Sequence, residues 1–259
     1  MIAILVDVTR CTGCERCVEA CVEAHHLDPV GAKRDRVGNR ERLSEHLLSS
    51  VVPLGEGRFA RKSCMHCLEA SCVSACLVGG LSQSEEGAVL YDPEKCIGCR
   101  YCMLACPFHV PRYEWSQTQP LIKKCDFCIS RVRAGLQPSC VAACPNEALS
   151  FGDREDLLRE AHRRISDSSL SYLPRVWGEH ELGGTSVLYV SDIDLSAVDW
   201  PSIETGAIPA LTEPLISKTP YIGLGVLTGI YALHWIIERR NRLMGSDPDT
   251  VDLRKAGSR

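Results

Sequence analysis

The sequence predicts an α+β chain in which one cysteine-rich unit occurs twice, closed by a single C-terminal transmembrane helix. Three observations carry this. Short apolar, β-branched stretches run into cysteine loops, two fifteen-residue stretches align, and an uncharged span of 19 residues stands near the C-terminus. At 259 residues and 45 % hydrophobic content the chain can bury a sizeable core. A formal charge of −4 and 6 % aromatic residues give no electrostatic or stacking basis for nucleic-acid binding.

The 16 cysteines fall into four groups: Cys11, Cys14, Cys17, Cys21; Cys64, Cys67, Cys72, Cys76; Cys96, Cys99, Cys102, Cys106; and Cys125, Cys128, Cys140, Cys144. Disulfides suit small secreted domains with dispersed cysteines, and "MIAILVDVTR" lacks the basic-then-apolar layout of a signal peptide. Structural zinc uses C-x2-C pairs separated by a longer spacer, which the fourth group resembles. The first and third groups place a third thiol where a zinc ribbon has none. "CIGCRYCMLACP" instead follows the bacterial-ferredoxin run C-x2-C-x2-C-x3-C-P, in which the fourth cysteine serves a second cluster. Sixteen thiols at four per cluster predict four 4Fe-4S clusters in a duplicated bacterial-ferredoxin-like fold of two dicluster units.

The repeat supports that count. "DVTRCTGCERCVEAC" aligns with "DPEKCIGCRYCMLAC" 85 positions later, matching Asp7 to Asp92, Arg10 to Lys95, Gly13 to Gly98 and Ala20 to Ala105. The second and fourth groups share the endings "SCVSAC" and "SCVAAC". Gly13 and Gly98 stand where the backbone must curl around sulfur.

In chain order, "IAILVDV" and "AVLYD" read as strands, and each fourth cysteine is expected at or within a short helix. Residues 22–63 read as a charged insertion against a partner rather than a core element. Pro107 and Pro145 redirect the chain after their groups. "ALSFG" reads as a closing strand. "DREDLLREAHRRI" reads as an amphipathic helix capped by Asp153, with Leu157, Ala161 and Ile165 on one face. A short strand is expected at "SVLYV". The expected organisation is a cluster region at 1–165, a partner-contacting linker at 166–217, a membrane helix at 218–240 and a polar tail at 241–259.

Thr219 to Ile237 carries no formal charge over 19 residues, roughly 28 Å as a helix and close to the hydrocarbon thickness. Tyr221 and Trp235 lie near its ends and "ERRNR" follows. Gly225 and Gly229 form a G-x-x-x-G that would let another helix approach. His234, ionisable within the apolar span, is a candidate for haem or quinone contact.

The four groups in this order, "CPFHVPRYEW", "KKCDFCISRVRAGLQPSCVAACPNEAL" and the terminal helix resemble the iron–sulfur β subunit of membrane-bound respiratory formate dehydrogenases. The corresponding subunits of membrane-bound nickel–iron hydrogenases and of molybdopterin oxidoreductases are similar. The repeat alone permits pairing group one with four or with two. The resemblance implies the first choice, with ligand sets Cys11, Cys14, Cys17, Cys144; Cys125, Cys128, Cys140, Cys21; Cys64, Cys67, Cys72, Cys106; and Cys96, Cys99, Cys102, Cys76. With all sixteen thiols present, no three-iron variant is expected. The resemblance further implies a non-catalytic electron-transfer subunit. Its expected partners are a large molybdenum or tungsten (or nickel–iron) catalytic subunit and a membrane cytochrome b or quinone-binding subunit.

Formate oxidation is the first expected partner reaction, hydrogen oxidation the second and oxide reduction the third. A stand-alone, membrane-tethered ferredoxin is the rival reading. No Rossmann fingerprint, P-loop or nucleophile motif occurs. Arg239, Arg240 and Arg242 follow the membrane span and Lys218 alone precedes it, so the positive-inside rule predicts a cytoplasmic tail and a periplasmic cluster domain, with the span itself in membrane lipid. Export would then depend on a partner bearing a twin-arginine signal. Lys123, Lys124, Arg131 and Arg133 flank the fourth group and are expected to offset local cluster charge.

Overall fold

A computed structural model describes residues 1–38, 43–115, 117–118, 120–167, 171–195, 206–210 and 218–244. The chain divides into two units, residues 1–211 and 212–259.

The first unit is organised by β1 (Ile2–Asp7), the middle strand of a three-stranded sheet. It pairs antiparallel with β8 (Leu149–Asp153) and parallel with β9 (Val187–Val190). Continuous apolarity in "IAILV" follows from burial on both faces. Period-two alternation sends Ala3 and Leu5 toward α7 (Arg154–Ser166), where they pack with Leu157, Leu158 and Ala161. Ile4, Val6 and Val8 face the other way, into a core that contains Cys64, Cys106, Cys125 and Cys140. The sheet thus separates a helical layer from a thiol layer. Asp153 caps α7 through the Glu155 amide at 3.0 Å, as its sequence position predicts.

Between β1 and β8 lie α1 (Arg16–Ala24), α2 (Pro29–Gly38), the hairpin β2–β3 (Ser49–Gly55, Arg58–Ser63) and α3 (Ser71–Ser74). The hairpin β4–β5 (Leu81–Gln83, Val89–Tyr91), α4 (Tyr101–Ala105) and the hairpin β6–β7 (Arg112–Tyr113, Ile122–Lys123) follow. Two short helices, α5 (Ile129–Arg133) and α6 (Ser139–Ala142), complete the order.

Two expectations need correction here. Residues 22–63 are not a surface insertion: Leu43, Ala60 and Arg61 are at most 2 % exposed, and the β2–β3 hairpin walls the thiol layer. Residues 171–195 likewise add Trp177, Leu182 and β9 to the core rather than forming a linker. Among the fourth cysteines only Cys21 sits inside a helix; Cys76, Cys106 and Cys144 lie one or two residues beyond α3, α4 and α6.

The matched residues outside the cysteines have a common role. Asp7 Oδ1 accepts the Thr9 amide at 3.1 Å and Asp92 Oδ1 the Glu94 amide at 3.0 Å, and each carboxylate pairs with the basic residue three positions on. These turns deliver the chain into its cysteine loop. Asp7 is fully buried and also binds Arg164 at 2.9 Å and Tyr172 at 2.7 Å. Asp92 is part-exposed, with only the turn and Lys95.

A left-handed residue precedes the second cysteine in all four groups: Gly13 (φ +73°), His66 (φ +46°), Gly98 (φ +70°) and Phe127 (φ +66°). Glycine reaches this region without strain; for other residues it costs about 1–2 kcal/mol. His66 and Phe127 meet that cost by packing on each other edge to face, 4.5 Å between centroids, both essentially fully buried.

The second unit contains the helix Thr219–Leu243, with a mean hydropathy of 1.4 in its most apolar window, long and apolar enough to cross a membrane. The tail from residue 245 lies outside the described residues.

Two contrasts test these assignments by denaturant titration of the assembled protein. Asp7→Ala strips a carboxylate from the buried Arg164 and is expected to cost about 3 kcal/mol, against a much smaller loss for Asp92→Ala. Gly98→Ala meets no neighbour within 4 Å and is expected to cost about 1–2 kcal/mol from its backbone alone. Gly13→Ala, whose Cβ would lie 2.8 Å from the Phe59 ring, is expected to cost more.

Candidate metal centre

All sixteen cysteines are free thiols, so the disulfide reading has no support in the structure. Their grouping in space differs from their grouping in sequence. Cys11 neighbours Cys14 and Cys144, while Cys17 neighbours Cys11, Cys140 and Cys144. Cys11, Cys14, Cys17 and Cys144 line one cavity. Helix α1 packs on α6, which brings Cys21 beside Cys140 and Cys128; Cys125 neighbours Cys21, Cys140 and Cys64. Cys67 and Cys72 both neighbour Cys64 and Cys106. Helix α3 packs on α4, and Cys102 neighbours Cys76, Cys96 and Cys99.

Thiols that lie near one another thus come from more than one sequence group, as the four expected sets require. Across the expected sets, Cys17 lies near Cys140, Cys125 near Cys64, and Cys72 near Cys102. The exposed thiols, Cys14 and Cys99, belong to the first and last sets.

The left-handed residues aim backbone N–H groups at sulfur. The Gly98 and Phe127 amides each lie 3.4 Å from the first Sγ of their group, and the Gly80 amide lies 3.1 Å from Cys76 Sγ. Such bonds favour thiolate over thiol. Burial acts the other way: it pushes Cys17 and Cys72 up to about 12, and Cys21 and Cys102 up to about 11. Metal uptake by such thiols must release protons. Burial alone would also raise Cys128, but a 3.6 Å contact with His25 Nε2 overrides it and lowers the thiol. His25, Asp126 and Cys128 lie close enough to suggest a separate cation site, yet Cys128 is already one of the second set.

Sequence reasoning missed Arg61. It is 2 % exposed, bonds Ser63 Oγ at 2.7 Å and leaves its Nε without a partner. Its neighbours are Cys17, Cys21, Cys125 and Cys140. Its only sequence signal is a charge in the short stretch "RFARKS" just before the second cysteine group. Of the four cations expected near the fourth group, Lys123 pairs with Glu114 at 3.0 Å, Arg133 with Glu86 at 2.7 Å, and Arg131 binds the Gln137 carbonyl at 3.1 Å. Lys124 alone is buried. It binds the Val89 and Cys125 carbonyls and neighbours Cys72 and Cys106, thiols of the second and third groups.

Clusters of thiols accompanied by buried cations fit the donor chemistry of iron–sulfur clusters. A family model for a 4Fe-4S dicluster domain matches residues 56–154. A protein of Nitratidesulfovibrio vulgaris (strain Hildenborough) is 38 % identical over 244 residues, covering 89 % of this chain and 66 % of that one. Hydrogenase-2 operon protein HybA of Escherichia coli O157:H7 is 31 % identical over 93 % of this chain and 84 % of its own length. The nitrate-inducible formate dehydrogenase iron-sulfur subunit of Escherichia coli K12 is 32 % identical, covering 91 % and 81 %. The chain belongs to the same 4Fe-4S protein family as the formate dehydrogenase iron-sulfur subunits and HybA.

Proposed function

We propose that the chain is an electron relay of four 4Fe-4S clusters, built from a duplicated dicluster unit. Its ligand sets are Cys11, Cys14, Cys17, Cys144; Cys21, Cys125, Cys128, Cys140; Cys64, Cys67, Cys72, Cys106; and Cys76, Cys96, Cys99, Cys102. The observation that carries this reading is the nearness of thiols from different sequence groups, Cys17 to Cys140, Cys125 to Cys64 and Cys72 to Cys102, together with the exposure of Cys14 and Cys99. Bound clusters supply one-electron carriage at potentials set by hydrogen bonds, charge and exposure. The chain's own part is to hold the sets in line, aim amides at sulfur, and keep water from the inner sets while leaving the ends open to partners.

The catalytic partner in this reading is a molybdenum or tungsten formate dehydrogenase, and the acceptor a membrane cytochrome b or quinone-binding subunit. The similarity to formate dehydrogenase subunits over most of the chain supports this. A nickel–iron hydrogenase is the second reading, favoured by the match to HybA over 93 % of the chain. In both, the apolar part of the helix Thr219–Leu243 spans the membrane and Arg239, Arg240 and Arg242 at its end hold the tail in the cytoplasm, with the cluster domain on the outer face.

Native purification in mild detergent tests the relay. Co-purification of a large molybdenum or tungsten protein is expected; a nickel protein favours the second reading, and a lone 28.5 kDa chain contradicts both. Protease added to intact spheroplasts is expected to cut the cluster domain, and its survival would reverse the orientation. The crossed ligation is tested by electron paramagnetic resonance. Cys144→Ser should perturb the cluster held by Cys11, Cys14 and Cys17, and Cys21→Ser the one held by Cys125, Cys128 and Cys140; the opposite assignment would refute the crossing.

A further inference from the structure

Two cations are buried among the thiols, and each stands just before one cysteine group while lying against others. Arg61, three residues before Cys64, is 2 % exposed and neighbours Cys17, Cys21, Cys125 and Cys140. It also lines the cavity that holds Cys11, Cys14 and Cys144. Lys124, one residue before Cys125, is 7 % exposed and neighbours Cys72 and Cys106. Among the described residues neither is paired with a carboxylate: Arg61 bonds a serine hydroxyl and keeps a partnerless Nε, and Lys124 bonds two carbonyls.

A buried cation without a counter-ion is strongly unfavourable. It persists where a negative charge is resident, and a four-thiolate cubane carries a net charge of about −2. We infer that Arg61 and Lys124 are reciprocal tuning charges: Arg61, from the second group's approach, serves the clusters of groups one and four, and Lys124, from the fourth group's approach, serves a cluster of groups two and three. This rests on the proposed ligand sets. Each cation stabilises the extra negative charge of the reduced state, so each raises the potential of the clusters it faces and of no others. The exchange also ties assembly of one half to the other, because each pair of sets draws its counter-charge from the chain entering a group of the opposite pair.

The test is a redox titration of the anaerobically purified complex, followed by electron paramagnetic resonance, with iron measured in each sample. Signals are assigned to the two pairs by their sensitivity to Cys17→Ser and Cys72→Ser. Arg61→Gln should lower midpoint potentials only among clusters of the Cys17 pair, Lys124→Gln only among those of the Cys72 pair, and Arg61→Lys and Lys124→Arg should largely restore them. A shift in the other pair, or no shift with iron intact, overturns the inference. If Arg61→Gln loses iron, the loss should be confined to the Cys17 pair and reversed by Arg61→Lys. Loss from both pairs, or loss that the lysine does not reverse, overturns it too. Failure of the underlying ligand sets is seen separately, as an unsubstituted chain short of its full iron complement.

Discussion

Gathering sulfur out of water is the constraint on which the rest of this structure depends. Four thiols must converge on one small volume, and thiols from different sequence groups lie side by side, so stretches as distant as Cys11 and Cys144 must meet. The strand β1 enforces this meeting. Its pairing with β8 brings the start of the chain against the end of the fourth group, and its alternation leaves one face for α7 and the other for the thiols.

The same constraint explains features that look unfavourable alone. Left-handed backbone at His66 and Phe127 costs energy, but it turns the chain around sulfur and points an amide at it, and the two rings recover the cost by packing together. A buried guanidinium without a carboxylate is costly in an apolar core and reasonable beside a thiolate-rich cluster. Thiols raised by burial are poor ligands until iron displaces their protons. Folding of the thiol layer and cluster binding are therefore coupled processes.

The sequence made some of this legible and hid the rest for physical reasons. Spacing marked the donors because ligands must follow a short loop. The strands at "IAILVD", "LSFG" and "VLYV", and the Asp153 cap, were legible because their signals are local. Glycine revealed only Gly13 and Gly98 of the four left-handed positions. At His66 and Phe127 the conformation is stabilised by a contact between residues 61 positions apart, which no local rule detects. Residues 22–63 read as peripheral because charges are dense there, and 166–217 because no motif marks them. Their buried residues are set against partners far along the chain, as Arg61 among the thiols shows. The crossing of ligand sets was open on spacing alone, since the repeat permits two pairings, and a family resemblance was needed to prefer one.

The functional account follows from the order of the sets. The four proposed clusters, with Cys14 and Cys99 exposed, suit passage between two partners better than storage or sensing, and on the inference drawn above the buried Arg61 and Lys124 tune the two halves separately. Everything in this account requires that all sixteen thiols bind iron. Iron and acid-labile sulfide analysis of anaerobically prepared protein tests that most directly: about sixteen of each per chain is predicted, and about eight, or stoichiometric zinc in their place, would contradict it.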